Sequence, residues 1–431
     1  MSDSEKFDAI VVGGGVAGGV AAYVMAQAGL QVLLVERSNS AGGKNCTGGR
    51  LYSHSLEKII PNFAAEAPIE RKVTKERVSM TTESGAVTLD YSSDRLGEQG
   101  RDSYVVCRAL FDRWLVDKAE EEGAMVACGI RVDDLIVRDG KVCGIIAGGE
   151  EMEAEVVVLA DGVNSLLAEK IGLKKPVTPH QVAVGAKEVI ELGEKEVESR
   201  FGLNGGEGMS WLFAGSVSDG AIGGGFLYTN KDSLSLGVVC TLADLEKANK
   251  TVPQMLNDLK EHPVVKPLIK GGKLVEYSGH LVPEAGISMI PTLYRDGVVV
   301  VGDAAGLVIN IGYMVRGMDL AIESAKLAAE TIIEAKAKND FSANSLSSYK
   351  SKLDNSFVMK DLKQYQKFPH FLDETPRVFK GYPEMLDNMM ADMFIVDGTP
   401  AEPLMKNMLG HVKKVGLMTL AKDGIKGVKA L

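Results

Sequence analysis

No Cys-x-x-Cys pair occurs in the 431 residues, and the five cysteines, Cys46, Cys107, Cys128, Cys143 and Cys240, are odd in number and scattered. That argues against an iron–sulfur or zinc ligand set in this chain and suits a reducing compartment. The six histidines show no metal-ligand spacing either, so no metal is expected. Positive charge is short as well. The balance of −10 argues against a nucleic-acid partner, because phosphate binding needs a broad basic surface. Uninterrupted apolar runs are also missing: the uncharged stretch from Ala9 to Val35 carries six glycines, and Asp303 interrupts the stretch from Gly297 to Val315. A strand, a glycine turn and a helix explain the first stretch better than a bilayer span. The head MSDSEK lacks the basic region of a signal peptide, so a cytoplasmic protein is expected.

Glycine, by contrast, is abundant, with 48 residues against 14 prolines, which points to tight backbone approaches. The length exceeds what one core usually supports, so two or three packed subdomains are expected. Residues 7–36 predict a βαβ unit: a strand over Phe7–Val12, a glycine turn, a helix over Val16–Gln27 ending at Gly29, and a second strand closing at Glu36. Residues 51–100 are polar with short strand-like pieces. The segment from Arg108 predicts a helix presenting Leu110, Trp114, Leu115 and Ala119 on one face. Short strands follow, with Asp139-Gly140 as a hairpin turn. Residues 155–162 then run a buried strand into the turn Ala160-Asp161-Gly162.

Between about 181 and 290 the pattern becomes alternating and β-branched, predicting an antiparallel sheet on the substrate side. The run DGVVVVGDAAG at 296–306 returns to the texture of the start. The fold class is therefore α/β: a Rossmann-like nucleotide domain split in sequence, over 1–180 and 291–340, with an inserted antiparallel-sheet domain. Residues 341–431 form a helical C-terminal region.

The first turn carries the chemistry. Gly13 permits the tight bend, Gly15 lets the backbone close on a diphosphate, and Gly18 lets helix and strand pack closely. Val16 and Ala17 open the helix, whose free N–H groups face the anion. Glu36, eighteen residues beyond Gly18, is placed to accept ribose hydroxyls and to repel a 2′-phosphate; Arg37 follows it. A second strand end, with Gly302, Asp303 and Gly306, offers a grip that a long resident flavin would use, Asp303 toward the ribityl chain. FAD is thus the expected cofactor. In the loop at 44–49, Lys44 offers charge to a reduced flavin, Asn45 and Cys46 lie beside it, and Gly48 and Gly49 allow close approach. The alternative for this loop is a plain glycine support, with Cys46 a small buried hydrophobe.

DAIVVGGGVAG, the CRALFDRWL segment, the turn at 160–162 and VVGDAAG together resemble the FAD-binding fold of p-hydroxybenzoate hydroxylase-like monooxygenases, geranylgeranyl reductases and electron-transfer-flavoprotein:quinone oxidoreductases. Nearly the whole chain resembles one branch, the FixC-type flavoproteins, through residues 41–57, 223–237, 271–286 and 312–330. The resemblance implies noncovalent FAD and a dehydrogenase that passes electrons from an electron-transfer flavoprotein toward a membrane quinone. It implies that Arg108 lies near the cofactor, that Gly302 and Asp303 reach the ribityl side, and that Gly312, with Tyr313 and Met314, approaches the ring. The larger single-chain relatives carry a four-cysteine cluster domain that this chain lacks. A separate ferredoxin-like subunit is therefore implied, in a complex with a two-subunit electron-transfer flavoprotein, with bifurcation of electrons from NADH left open by the sequence.

Tyr277, His280 and Glu284 are candidates for the quinone side, or else satisfied structural residues. From Leu404 to Leu431, six lysines and a single acid, Asp423, interleave with apolar residues, which fits an amphipathic surface for an anionic membrane, at the inner face of the cytoplasmic membrane, or for an acidic partner, or else a surface helix with a solvated lysine face. The alternatives are an isoprenoid-type reductase or aromatic monooxygenase on the same scaffold, and a flavin-containing scaffold subunit.

Overall fold

The computed structural model describes residues 6–43 and 49–431. The chain opens with β1 (Phe7–Val12), α1 (Val16–Gln27) and β2 (Val32–Glu36). All three are almost wholly apolar because both faces of the sheet they build are covered. Next come β3 (Arg50–Tyr52), β4 (Ile69–Thr81), β5 (Ala86–Ser92) and β6 (Ser103–Val106). They are followed by α2 (Arg108–Glu121), β7 (Met125–Cys128), β8 (Val132–Arg138), β9 (Lys141–Ala147) and β10 (Glu150–Leu159).

The expected face of α2 needs one correction. Leu110 is exposed, and Phe111 takes the buried position with Leu115, Val116 and Ala119. The helix is rotated so that the aromatic ring fills the core. Asp139 and Gly140 both adopt positive φ, 49° and 82°, in the turn joining β8 to β9.

After α3 (Leu166–Lys170), β11 (Val182–Glu191) and α4 (Glu194–Phe201), three strands run in series: β12 (Glu207–Gly215), β13 (Gly223–Thr229) and β14 (Ser233–Thr241). Helices α5 (Leu242–Leu245), α6 (Val252–Glu261) and α7 (Lys266–Ile269) lead to β15 (Lys273–Pro283). Thr251 caps α6 in a reciprocal capping box with Gln254, and α6 lays Val252, Met255, Leu256 and Leu259 on the sheet. The chain then returns through β16 (Tyr294–Arg295) and β17 (Val298–Val300), a 3₁₀ turn at Gly302–Ala305, and the hairpin β18 (Ile309–Asn310) and β19 (Val315–Arg316).

It closes in helices α8 (Met318–Lys338), α9 (Ala343–Asn355), α10 (Phe357–Gln364), α11 (Phe368–Glu374), α12 (Gly381–Phe394), α13 (Leu404–Val415) and α14 (Leu417–Ala430).

Two large sheets result. The first runs β16-β17-β10-β1-β2-β7, parallel from β17 to β7, with β9 and β8 added to β10 as an antiparallel flap. Its central strand β1 ends at the glycine turn, and β17 ends at the Asp303 turn. Both motifs that the sequence separates by almost 290 residues therefore finish at the same sheet edge, outside the carboxyl ends of parallel strands where ligands bind. The second sheet runs β15-β11-β14-β13-β12-β4-β6-β3, with β5 on β4. It extends beyond residues 181–290, taking in strands from 50–106, and one of its junctions, β4 with β12, is parallel.

Candidate cofactor site

A cleft of about 490 Å³ opens at that sheet edge, within the range of small-molecule and cofactor sites. Gly13, Gly15, Val16 and Ala17 line its floor. Helix α1 begins at Gly15 with no side-chain cap and no acid in its first turn, so its first N–H groups are left for an anion. A Cβ on Gly13 would lie 2.4 Å from the Ala160 carbonyl oxygen, and one on Gly18 would lie 1.8 Å from that of Gly13. Gly13 also sits at φ +108°, closed to ordinary side chains. Only glycine lets the turn fold this tightly against Ala160.

Glu36 holds the next part. Its Oε2 accepts from the Gly14 amide at 2.8 Å and its Oε1 from the Ser38 amide at 2.7 Å. The carboxylate is thereby fixed at the cleft wall with lone pairs left for ribose hydroxyls. The Ile130 amide donates to the Glu36 backbone oxygen at 3.0 Å, which sets Ile130, Arg131, Val132 and Asp133 beside it. This wall beside Glu36, to which Lys170 is tied through the Asp133 carbonyl at 2.7 Å, has no glycine signature and was not legible in the sequence. The only signal was a turn directly after β7.

At the other end stand Asp303, Arg108 and His280. Arg108 opens α2 and forks onto buried Asp112 with bonds of 2.7 and 2.8 Å. Gly42 makes this possible, since a Cβ there would meet the Arg108 carbonyl oxygen at 2.5 Å. Burial raises the Asp303 carboxyl above its ordinary value, against the opposing charges of Arg108 and Lys174. Burial likewise raises Asp161, which accepts from Ser165 Oγ at 3.0 Å. Lys174 is buried, donates to the Val163 carbonyl and is pushed down by desolvation. His280 on β15 is held below its usual value by burial and then by the cations Arg108 and Arg37.

Beyond the cleft end, α8 starts beside a buried ionic knot. Gly317, Met318 and Ala321 line the cleft, and Asp319, wholly buried, receives Arg316 at 2.8 and 2.6 Å and lies 3.2 Å from His54 Nε2. Arg316 also pairs with Asp361 at 2.6 Å, tying α10 to the hairpin β18–β19. His54 packs edge-on against Phe357. His54, Arg316 and Asp319 lie within segments 41–57 and 312–330, which carry the family resemblance, but no reading of those segments singled them out.

Of the expected contacts, Gly13, Gly15, Val16, Ala17, Glu36, Arg37, Arg108, Ala160, Asp161, Gly162 and Asp303 come together in this cleft. Gly18, Gly302 and Gly306 serve close packing, against Gly13, Ala17 and Met289 respectively. Gly49 lies against the Tyr228 ring, and Gly312, Tyr313 and Met314 form the turn between β18 and β19, away from the cleft lining. Lys44, Asn45, Cys46 and Gly48 lie outside the described residues. The three quinone candidates separate. His280 joins the main cleft, Tyr277 is exposed, and Glu284 faces Asn310, at 3.3 Å, in a second, much smaller cleft.

The comparisons with known proteins fit this geometry. The FAD binding domain profile matches residues 6–198, and the ETF-QO/FixC family C-terminal domain profile matches residues 368–431. The chain is 56% identical over its whole length, and that of its relative, to the probable electron transfer flavoprotein-quinone oxidoreductase YdiS of Escherichia coli. The chain belongs to the ETF-QO/FixC family. It is 55% identical to protein FixC of Salmonella typhimurium, covering 99% of both chains, and 42% identical to protein FixC of Azorhizobium caulinodans, covering 92% of both.

Among solved structures it resembles a geranylgeranyl bacteriochlorophyll reductase-like protein of Thermoplasma acidophilum, with a TM-score of 0.71 at 20% identity over 98% of this chain and 99% of that one. It also resembles the flavin-dependent brominase Bmp2, at 0.64 and 16% identity over 95% and 100%. At those identities the likeness is one of fold. As a family member this chain is an FAD-dependent oxidoreductase, and its residues fit that cofactor: an uncapped helix start in a glycine cradle for the diphosphate, a fixed carboxylate for the ribose, and a second strand end bearing Asp303.

Proposed function

We propose that the chain accepts electrons from an electron-transfer flavoprotein and passes them to a membrane quinone, with a small ferredoxin-like subunit as a further partner. The observation that supports this best is the full-length likeness to YdiS, whose name states that activity. FAD, when bound, supplies the electron-carrying ring. The protein's residues bind and orient it: the α1 amides take the diphosphate, Glu36 the ribose, and Asp303 the ribityl chain. Arg108, clamped by Asp112, and His280 stand at the Asp303 end, where their positive or polar character favours a ring that gains negative charge. The α8 start, anchored through Asp319, presents its amide dipole at the same end. Electron transfer asks for no acid or base from the protein, only for this fixed electrostatic frame. On this reading the protein works at the inner face of the cytoplasmic membrane, where it would meet a membrane quinone.

The test is a steady-state assay with purified FAD-loaded protein, reduced electron-transfer flavoprotein and a soluble quinone analogue. Quinol formation that needs all three components is expected. NADPH consumption with a hydroxylated product, and no quinol, would overturn the proposal.

A further inference from the structure

The start of α8 carries a charge whose sign opposes its place. Gly317, Met318 and Ala321 line the cleft, so the first turn of this helix stands at the cofactor site. Helix α1 has no acid in its first turn, whereas α8 has Asp319 there, wholly buried. A carboxylate suits the helix dipole but repels a second anion at the same end. Arg316 Nε, Arg316 Nη2 and His54 Nε2 all meet its Oδ2, at 2.8, 2.6 and 3.2 Å. Among the described residues, Oδ1 has no hydrogen-bond partner. Arg316 is also shared, through Nη1, with Asp361 at 2.6 Å. One guanidinium serves two carboxylates, so this group keeps one negative charge as long as His54 is neutral.

His54 is placed to change that sum. Its side chain is 32% exposed, so solvent reaches the imidazole while Asp319 stays buried. Its Nδ1 lies 3.3 Å from Ser55 Oγ. A hydroxyl donates to a neutral imidazole and accepts from a protonated one, so this contact survives either state, with Nε2–H on Asp319 in both. The Phe357 ring packs edge-on at 4.9 Å and fixes the ring plane. The charged and titratable groups around His54 are Lys58 and Glu57 of its own turn, Tyr52 of β3, Arg316 of β19, Asp361 of α10 and Asp319. Lys58 Nζ stands 6.0 Å from the Phe357 ring centre, the Asn62 amide donates to Glu57, and Tyr52 lies under Arg316 at 5.9 Å. Burial pushes the Asp319 carboxyl up, but the His54 bond and the Arg316 charge outweigh it, so Asp319 is ionised at neutral pH. Imidazole is the side chain that ordinarily gains its charge near neutral pH, and the carboxylate that stabilises that charge is already in contact.

We propose that His54 is a positioning residue that takes up a proton when the bound FAD is reduced, neutralising through Asp319 the charge that would oppose a reduced ring. Two electrons from a reduced electron-transfer flavoprotein enter with one proton at the ring, which gains one negative charge. His54 takes a second proton from solvent at Nδ1. The protein then holds two electrons and two protons. On reoxidation the ring gives up both electrons and its proton, His54 gives up the other, and a quinone becomes a quinol with no further acid. Only this last step rests on the quinone reading; proton uptake is measured on the FAD-loaded protein with no partner present.

The test is an electrochemical titration of the full-length, FAD-loaded protein, with the flavin potential read from its absorbance across about pH 5 to 8. His54→Gln keeps an N–H for Asp319 but takes no proton. The wild-type potential is expected to fall more steeply with pH than that of the variant, by up to one proton per two electrons. Protons counted with an indicator in weak buffer, at about pH 7.5, are expected to be well above one per flavin reduced in the wild type and about one in the variant. A purely structural role would lower the melting temperature or the flavin content of His54→Gln and leave the slope unchanged. Parallel slopes would therefore overturn the proposal. Should the variant not retain FAD, the wild-type count decides alone, and a count of one proton per flavin would overturn it. Extra proton uptake without quinol formation from a quinone analogue would sink the quinone reading and leave the role of His54 standing.

Discussion

Gly14 and Glu36, twenty-two residues apart, are joined by a 2.8 Å bond from the glycine amide to Glu36 Oε2. The carboxylate expected to meet a ribose is also the pin that holds the glycine turn to the end of β2. Binding and turn geometry therefore fail together.

Glu36→Ala removes both amide bonds at once, each a charge-assisted contact of about 1.5–3 kcal/mol. Apoprotein titrated with FAD is expected to bind at least roughly tenfold more weakly. Glu36→Gln keeps one acceptor oxygen and falls between the variant and wild type. Equal affinity for all three proteins would remove Glu36 from the site.

Gly18→Ala sets a methyl group 1.8 Å from the Gly13 carbonyl oxygen and is expected to yield protein without retained flavin. Gly29→Ala is the control. It has φ +82° but open space, so it costs only about 1 kcal/mol in a urea melt and keeps its FAD. Flavin content read after gel filtration separates the two.

Asp319 anchors the start of α8. Burial pushes its carboxyl up, but the His54 bond and the charge of Arg316 outweigh this and hold it below the ordinary 3.8. Its stabilisation is present above that value and lost as pH falls through the lower, folded one. Asp319→Asn leaves Arg316 buried against a neutral amide and is expected to destabilise by about 3 kcal/mol at neutral pH. The same variant loses less of its remaining stability on acidification, seen in melts across the acid range.

Glu284 behaves in the opposite sense. Burial raises its carboxyl from 4.5 to about 7, partly offset by Asn310. The folded state therefore holds the proton more tightly, and its contribution is full below 4.5 and lost as pH rises through about 7. In Glu284→Gln that slope is expected to vanish, so the variant gains on the wild type as pH rises through this window. Parallel melting curves for the two proteins would contradict the assignment.

The βαβ opening was legible to within a residue, because an apolar run, spaced glycines and a terminal acid admit one local solution at Phe7–Glu36. The second sheet was legible only where its strands alternate. β4, IERKVTKERVSMT, falls in the stretch that reads only as polar with short strand-like pieces, yet it pairs with three strands of that sheet. Its Arg71 is buried by donating to the carbonyl oxygens of Asn230, Glu207 and Lys231 and by pairing with Glu198. Arg50 pairs with Glu76 of the same strand. Charges satisfied by partners on other strands, for Arg71 more than a hundred residues away, give no local pattern. The same holds for His54 with Asp319, and for the wall at Ile130–Asp133, whose place depends on the Glu36 backbone. The place of Asp303 at a strand end was legible because its turn carries its own glycines.

The central claim is tested most directly by a single turnover without oxygen. FAD-loaded protein is mixed first with reduced electron-transfer flavoprotein and then with a quinone analogue, while the absorbance of its own flavin is followed. The account predicts bleaching on the first mix and full recovery on the second, with one quinol formed per flavin reoxidised. A flavin that stays oxidised in the presence of the reduced partner would contradict it.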